Sequence, residues 1–460
     1  NNKDAAGLAY NATLVHYNAK QFAIAVTELR NLKQKYPDHE YILLIRRMLA
    51  QSLLESSQLD EALVEFEDLY KIYSNKKGKD YNDSMAKEIE KAIAYVLYQQ
   101  AEVSVKQKQF EKGAGAYLAL VKRYPKIDIA DKAVFEAAAA YESAEKFTLA
   151  AQTFMMLPKE YASSPLTIKG IVRAAGAYKK ESAAVKVGQG KGAEEKAAKE
   201  KERLLREAAN TYLFITNNFP KDSMAFTAIA SAAQTYDSIP DKRAAGTTYE
   251  IAFKRYHDDE RTPGYLYSAC LSYDEAKMVD EAIRCNKDLV RDYPKSSYAL
   301  DAAFSIPMAY ANGKKWDLAA KEYHNFIKMY NDDKEKLIAA YIGAARAYME
   351  LKDEKNAVAD YEATLKNYDK YGLQIKNADP AVPAEAAYYL GEAEYNKMTP
   401  IVIKGKDKDK AKIIKQLVDI LQKAMSQYSK SATYASEKWT FRATNRMGML
   451  FVTMAEKIRE

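Results

Sequence analysis

Large and small apolar residues recur in a fixed order along the chain. In residues 316–330, WDLAAKEYHNFIKMY, a large residue, an alanine and a second large residue precede the closing aromatic Tyr330 by 14, 11 and 7 positions. These offsets place the three side chains on one face of an α-helix. The preceding stretch DAAFSIPMAYANG has an apolar face of its own. The pattern therefore predicts units of two amphipathic helices, A and B.

The closing aromatic of helix B gives the period of this pattern. Five of the nine intervals between successive closing aromatics are 37 residues, and the other four are longer by 1 to 23 residues. The series is Tyr36, Tyr73, Tyr124, Tyr161, Phe219, Tyr256, Tyr293, Tyr330, Tyr368 and Tyr428. A fixed period of this length is typical of repeat arrays, in which each unit stacks on its neighbours because it cannot bury its apolar face alone.

The units resemble the tetratricopeptide (TPR) repeat. Helix A has a small residue near its middle with a tyrosine three positions later, at Ala138, Ala175, Ala233 and Ala345. The resemblance implies an all-α fold, a right-handed α-solenoid or superhelix of about ten TPR-like helix pairs with a C-terminal capping helix. The 37-residue period and the Tyr-Pro turn are similar to repeats of Gram-negative envelope proteins of the CpoB and BamD type. Such repeats bind protein segments in the periplasm.

Departures from the period predict how the chain is divided. We expect TPR-like units one to four and helix A of unit five in residues 1–182, a charged helical insertion in 183–203, helix B of unit five and units six to nine in 204–368, a linker in 369–382, unit ten with a basic loop at 399–409 in 383–430, and a capping helix in 431–460. The cap is predicted from a helical stripe of apolar residues, Ala443, Met447, Leu450, Phe451, Met454 and Ile458.

Composition and charge narrow the functional classes. Glycine (17) and proline (12) are scarce, which favours helix, and no run of 18 apolar residues predicts a membrane span. The 70 basic and 63 acidic residues are interspersed, which disfavours nucleic-acid binding despite a net charge of +7. The chain begins at Asn1 rather than Met. We expect the chain to be processed or cut from a longer protein, so that any signal peptide or lipid anchor would lie outside this sequence.

No constellation of residues predicts catalysis or a cofactor. The motif GQGKG at 188–192 lacks the ending and the preceding strand of a phosphate loop, and the four histidines lie in different repeats. Cys270 and Cys285 lie on neighbouring predicted helices. A bridge between them is conceivable, but their helix faces disagree, which favours free thiols. We expect no enzyme activity and no cofactor.

An aromatic residue precedes the small helix-A position by three residues in six units. These residues are Tyr10, Tyr98, Phe135, Tyr267, Phe304 and Tyr388. The A helices of a TPR superhelix line its concave surface, so these rings are candidates to bind an extended or helical segment of a partner protein. The alternative is that they pack between adjacent A helices.

These observations favour a non-enzymatic protein-binding scaffold in a Gram-negative cell envelope. It would be periplasmic or associated with the outer membrane, and it would assemble or coordinate envelope machinery. The alternatives are a cytoplasmic TPR adaptor or regulator, and the targeting arm of a larger protein whose catalytic domain is absent from this sequence. The lysines of segment 399–409 are interpreted as belonging to a solvated loop. The alternative is that they contact a partner or lipid headgroups.

Overall fold

A computed structural model describes residues 2–376 and 378–459, with side chains from residue 5 onward. All regular secondary structure in these residues is helical. The chain divides into two compact units, Asn1–Ile239 and Pro240–Glu460. Asn1, Asn377 and Glu460, which fall in the predicted segments 1–182, 369–382 and 431–460, lie outside the described residues.

The first unit contains helices α1 to α12. They are α1 (Asn2–Asn18), α2 (Phe22–Lys35), α3 (Ile42–Glu55), α4 (Leu59–Ser74), α5 (Asp83–Lys106), α6 (Phe110–Arg123), α7 (Ala130–Ser143), α8 (Phe147–Phe154), α9 (Met156–Glu160), α10 (Thr167–Ala184), α11 (Ala193–Asn218) and α12 (Met224–Asp237). Each helix packs on the next along the chain. Helices α8 and α9 are two parts of one helix B, because Pro158 has no N–H to donate to the carbonyl of Phe154.

The second unit contains helices α13 to α22. They are α13 (Lys242–Arg255), α14 (Thr262–Glu275), α15 (Val279–Asp292), α16 (Ala299–Asn312), α17 (Trp316–Met329), α18 (Lys334–Glu350), α19 (Glu354–Tyr371), α20 (Ala381–Met398), α21 (Asp407–Thr433) and α22 (Glu437–Arg459), with a short 3₁₀ helix at Gly372–Gln374. Successive helices again pack on one another. The described residues thus confirm an all-α repeat fold of ten A helices and ten B helices, followed by a capping helix. The sixth A helix, α12, belongs to the first unit and the sixth B helix, α13, to the second.

The small residue of helix B lies in the core of its repeat. The alanines at this position are fully buried, namely Ala25, Ala62, Ala150, Ala208, Ala245, Ala282, Ala319 and Ala357. In the third repeat the position is Gly113, where a Cβ atom would lie 2.5 Å from Cγ2 of Val105 and 3.1 Å from the carbonyl oxygen of Ala101. Helices α5 and α6 therefore approach too closely for any side chain at this point.

The closing aromatic ends helix B and links it to the preceding repeat. Tyr161 and Tyr293 are C-terminal cap residues, and the N–H of each donates to a carbonyl four residues earlier. The Tyr161 hydroxyl donates to the carbonyl of Pro125 at 3.0 Å, and the Tyr293 hydroxyl donates to the carbonyl of His257 at 2.7 Å. A tyrosine at this position thus ties two successive turns together, which explains the preference for it.

Seven turns from helix A to helix B share a residue in the left-handed conformation. This residue has φ between 56° and 61° and lies two positions before helix B, at Lys20, Ser57, Lys108, Glu145, Lys277, Lys314 and Lys352. At Ser57 its N–H donates to the carbonyl of Leu54 at 3.0 Å, and the next N–H donates to the carbonyl of Leu53 at 2.8 Å. Such paired bonds satisfy the last carbonyl groups of helix A and reverse the chain in few residues.

The segments that interrupt the period are partly helical. Helix α11 runs without a break from Ala193, inside the predicted insertion, to the end of helix B. Helix α21 begins at Asp407, near the end of the predicted basic loop. The predicted linker 369–382 contains the end of α19 and the start of α20.

The capping helix α22 buries part of its predicted apolar stripe. Ala443 and Leu450 are fully buried, and Met447 and Met454 pack against the same core. Phe451 and Ile458, which the sequence placed in this stripe, are instead 58% and 56% exposed. Helix α22 therefore has apolar residues on two faces, one buried and one exposed.

The two cysteines form a disulfide, which corrects the expectation of free thiols. Cys270 of α14 and Cys285 of α15 have Cα atoms 5.4 Å apart, within the usual range for a disulfide. The expectation placed the two cysteines on helix faces that disagree. In the structure Cys285 and its neighbour Asn286 are both buried. Adjacent positions on a helix are about 100° apart, so both fit on one broad buried side.

Candidate functional site

The six predicted binding rings differ in how far they are buried. Tyr98, Phe135 and Tyr388 are buried, whereas Tyr10, Tyr267 and Phe304 are half-buried. They lie on six different A helices, and each packs on rings other than these six. Whether they bind a partner stays a prediction, and their surroundings show which of them a partner could reach.

Tyr98 and Phe135 pack inside the core and are covered by cations. The Tyr98 ring meets Tyr117 of α6 edge-on, with ring centroids 4.9 Å apart. Lys132 Nζ lies 5.0 Å from the Tyr98 centroid, and the Arg173 guanidinium lies 5.1 Å from that of Phe135. Burial raises the pKa of the Tyr98 hydroxyl. Both cations come from the next A helix, so a partner would meet the cations before the rings.

Phe304 and Tyr388 pack on rings of neighbouring helices. The centroid of Phe304 lies 5.2 Å from that of Phe326 on α17. Tyr388 lies 5.2 Å from Trp439, the first buried residue of the capping helix α22. Aromatic pairs at such distances stabilise the core beyond their buried area. These two contacts support the packing alternative more than the binding one.

Tyr267 is a surface ring that is held by a second ring. It stacks on Tyr298 with centroids 5.2 Å apart and planes 26° apart, and Tyr298 is 39% exposed. A Cβ atom at Gly264 would lie 3.3 Å from Tyr298, so this glycine gives the stack its room. Burial raises the pKa of Tyr267, and Asp301 raises it further.

Tyr10 belongs to an open groove between α1, α3 and α5, which we name the first-repeat groove. Its volume is about 340 Å³. The residues that line it are Tyr10, Leu14, Tyr17, Leu44, Arg47, Met48, Gln51, Phe66, Glu88, Ile89 and Ala92. Phe66 and Ile89 are buried at its base, and Leu44, which is 44% exposed, stands at its edge. The groove thus offers apolar contact area that is open to a partner.

The polar groups of the first-repeat groove are few and of both signs. Arg47 donates to Sδ of Met85 at 3.4 Å, a weak bond that leaves most of its donors available. Glu88 is exposed on α5, and Gln51 is half-exposed on α3. Burial raises the pKa of the Tyr10 hydroxyl, while the charge of Arg47 opposes that rise. A cation next to two tyrosines suits a ligand with an apolar side chain beside a carboxylate.

Sequence reasoning found Tyr10 but missed the rest of this groove. The second repeat has Arg47 where six other repeats have an aromatic residue, so it was left out of the aromatic series. Leu44 lies one further helical turn before Arg47 on α3, and Tyr17 lies two turns after Tyr10 on α1. An exposed leucine on a predicted A helix, beside an arginine, was the signal that could have indicated it.

Among residues 2–376 and 378–459, no three His, Cys, Asp or Glu side chains lie close enough together to hold a metal ion. None of the described helices is long and apolar enough to cross a bilayer.

Comparisons with known proteins support the repeat class. Residues 95–126 match the tetratricopeptide repeat family, so the chain contains a TPR repeat. No curated protein sequence matches the chain.

Among solved structures, yeast Tom70 is similar at 12% identity and a TM-score of 0.33, over 100% of both chains. BtubC from P. vanneervenii is similar at 14% identity and a TM-score of 0.30, over 49% of this chain and 91% of the other. The human IFIT1 dimer with PPP-AAAA is similar at 12% identity and a TM-score of 0.32, over 97% and 90%. TM-scores this low carry no information about the function of this chain.

Proposed function

We propose that this chain is a non-enzymatic scaffold that binds an extended or helical segment of a partner protein in the first-repeat groove. The observation that carries the proposal is the convergence of Tyr10, Tyr17 and Leu44 on one open groove. Tyrosine offers a large contact area at a low cost in side-chain entropy. The preferred segment carries a large apolar side chain next to an acidic residue, which Arg47 pairs.

The location we propose is the envelope of a Gram-negative cell, where the scaffold assembles or coordinates envelope machinery. The disulfide between Cys270 and Cys285 supports an oxidising compartment, because cytoplasmic thiols are generally kept reduced. It therefore favours the envelope over a cytoplasmic adaptor. The similarity of the 37-residue repeats to those of envelope proteins supports the same location.

A photo-crosslinking experiment tests the groove. The photoreactive amino acid benzoylphenylalanine replaces Leu44 in one variant and Leu149 in a matched control. Leu149 is 45% exposed on α8 and lies far along the chain from the first-repeat groove. The full chain is irradiated in its native cell. We expect a defined adduct from position 44 alone, and we expect Arg47→Glu in the same protein to remove it. Equal adducts from both positions, or an adduct indifferent to Arg47→Glu, would refute the groove as the site.

The compartment has its own test. Cells are quenched in acid, and free thiols are alkylated with a maleimide before and after reduction. An envelope location predicts that Cys270 and Cys285 react only after reduction. Reaction before reduction would assign the protein to a reducing compartment, whatever the groove binds.

A further inference from the structure

The net charge of the chain is confined to its last helices. Residues 399–460 contain thirteen Lys and Arg against six Asp and Glu, which equals the whole net charge of +7. Residues 1–398 are therefore neutral, although charges of both signs are interspersed through them. Five lysines fall within 399–412, and all five are exposed, namely Lys404, Lys406, Lys408, Lys410 and Lys412.

The capping helix α22 carries a second apolar stripe that nothing in the described structure covers. Its apolar members Phe441, Phe451, Ala455 and Ile458 are all exposed, and together with the exposed Thr444 and Gly448 they follow one another at steps of 3, 4, 3, 4 and 3 residues. Phe441 is 74% exposed and Val452, beside the stripe, is 50% exposed. The end of a repeat array is normally capped by a polar outer face, which keeps it soluble. A large exposed apolar stripe at that position indicates a contact surface.

The start of the lysine segment lies against the helix that carries the stripe. Lys457 of α22 donates from Nζ to the carbonyl of Thr399 at 2.8 Å and to the carbonyl of Ile401 at 2.7 Å. These bonds hold the start of segment 399–412 against the C-terminal half of α22. Val402, which is 44% exposed, adds an apolar side chain between Ile401 and the lysines. We name the exposed side chains of 399–412 and of α22 the basic cap surface.

We infer that the basic cap surface docks on an anionic phospholipid membrane, with α22 lying in the plane of the interface. An interfacial helix has exposed Phe and aliphatic side chains on one face and Lys and Arg around them, and it is drawn to anionic headgroups by charge. Phe441, Phe451 and Ile458 supply the apolar part. The five lysines, with Lys438 and Arg459 of α22, supply the charge.

Charge and shape favour a membrane over a protein as the occupant. A second copy of this chain would bring two surfaces of the same high positive charge together, which is repulsive. The stripe is also a ridge of exposed side chains on a single helix rather than a groove. A fluid bilayer needs no matching shape, whereas a protein partner does.

Vesicle sedimentation with the full chain tests this inference. One set of vesicles is phosphatidylcholine alone, and the other is an equal mixture of phosphatidylcholine and phosphatidylglycerol. We expect binding to the mixed vesicles only, and weaker binding as salt is raised, because exposed charges are screened over about 10 Å at 0.1 M salt. The triple change Lys404→Gln, Lys406→Gln and Lys408→Gln should weaken binding by on the order of a hundredfold, at about fivefold for each lysine.

The double change Phe441→Ser and Phe451→Ser should weaken binding by at least about tenfold, since each ring loses its apolar burial. Two controls match these variants in chemistry but lie on the first unit. Lys76, Lys77 and Lys79 are exposed in a loop, and Leu8 and Val15 are 70% and 65% exposed on α1. The same Gln and Ser substitutions there should leave binding unchanged.

Each other result overturns the inference. Failure of the wild type to sediment with either vesicle would exclude membrane docking, and equal loss in the controls would mean unspecific attraction. Binding that needs the lysines but not the two rings would show a surface for any polyanion. A concentration-dependent doubling of mass that the Phe441→Ser and Phe451→Ser protein loses would show a protein interface instead. Because the first-repeat groove is not involved, none of these results bears on the proposed scaffold function.

Discussion

Reduction of the disulfide between Cys270 and Cys285 should loosen one helix pair and leave the others as they are. The bridge joins α14 to α15 across 15 residues of chain. Closing a loop of that size in the unfolded ensemble stabilises the folded form by about 3 kcal/mol. In a repeat array each pair contacts only its neighbours, so most of this effect should be felt locally. It corresponds to on the order of a hundredfold more frequent opening of α14 and α15.

Hydrogen exchange with mass spectrometry measures this opening directly. The full chain is compared with and without a phosphine reductant, and peptides from α14 and α15 should exchange faster after reduction. Peptides from α3 and α4, which form the equivalent pair in the second repeat and contain no cysteine, are the internal reference. The double variant Cys270→Ala and Cys285→Ala should behave like the reduced protein.

Unchanged exchange in α14 and α15 would refute the reasoning, provided that alkylation shows both thiols to be free. It would mean that packing alone holds the pair together. Faster exchange over the whole second unit would refute it differently, because the bridge would then act on the whole unit rather than on one pair.

Four further substitutions test packing and charge. Ala319→Leu, at a fully buried position, should cost about 1–3 kcal/mol of stability by overpacking, measured by denaturant unfolding. Gly343→Ala should also lower the stability, because a Cβ atom there meets the ring of Tyr323. Gly176→Ala has open space around it and should raise the stability by up to about 1 kcal/mol. A stability change of the same sign in both variants would contradict this reasoning. The hydrogen bond from His324 Nε2 to Asp360, 3.0 Å long, raises the pKa of His324. Its stabilisation is therefore complete below about pH 6.5 and lost as pH rises through the raised pKa, so the stability difference between wild type and His324→Gln should shrink from acid to alkaline pH.

The repeat fold was predictable because its signals are local and repeated. The buried alanines of helix B and the closing tyrosines recur at fixed offsets, so each position is supported by several others. The left-handed turn residues were not predictable in the same way. Five of the seven are lysines, a residue type with no special preference for that conformation. Their conformation follows from the short connection between two packed helices rather than from their own chemistry.

The candidate site was harder to predict, because the exposure of each ring depends on the residue that it meets on the following helix B. Tyr10 and Tyr98 occupy the same position in their repeats, yet only Tyr98 meets a tyrosine of the following helix B. Helix α2 offers Leu29 at the position that Tyr117 holds in α6, and Tyr10 remains half-exposed. The disulfide was misjudged for a related reason, since an error of one helix position decides whether two side chains can meet.

The left-handed turn also determines where the array accepts new sequence. Among the described residues, the turns within pairs five, six and ten lack a left-handed residue other than glycine, and pairs five and ten are the ones with long connections, at 185–192 and 399–406. A turn closed by these two hydrogen bonds has a fixed length, so the long connections lie in pairs that lack it. For an engineer, a reporter or an epitope belongs near Gly190, because Gly405 lies in the basic cap surface. The same insertion at Lys108 would first have to break the two hydrogen bonds that close this turn.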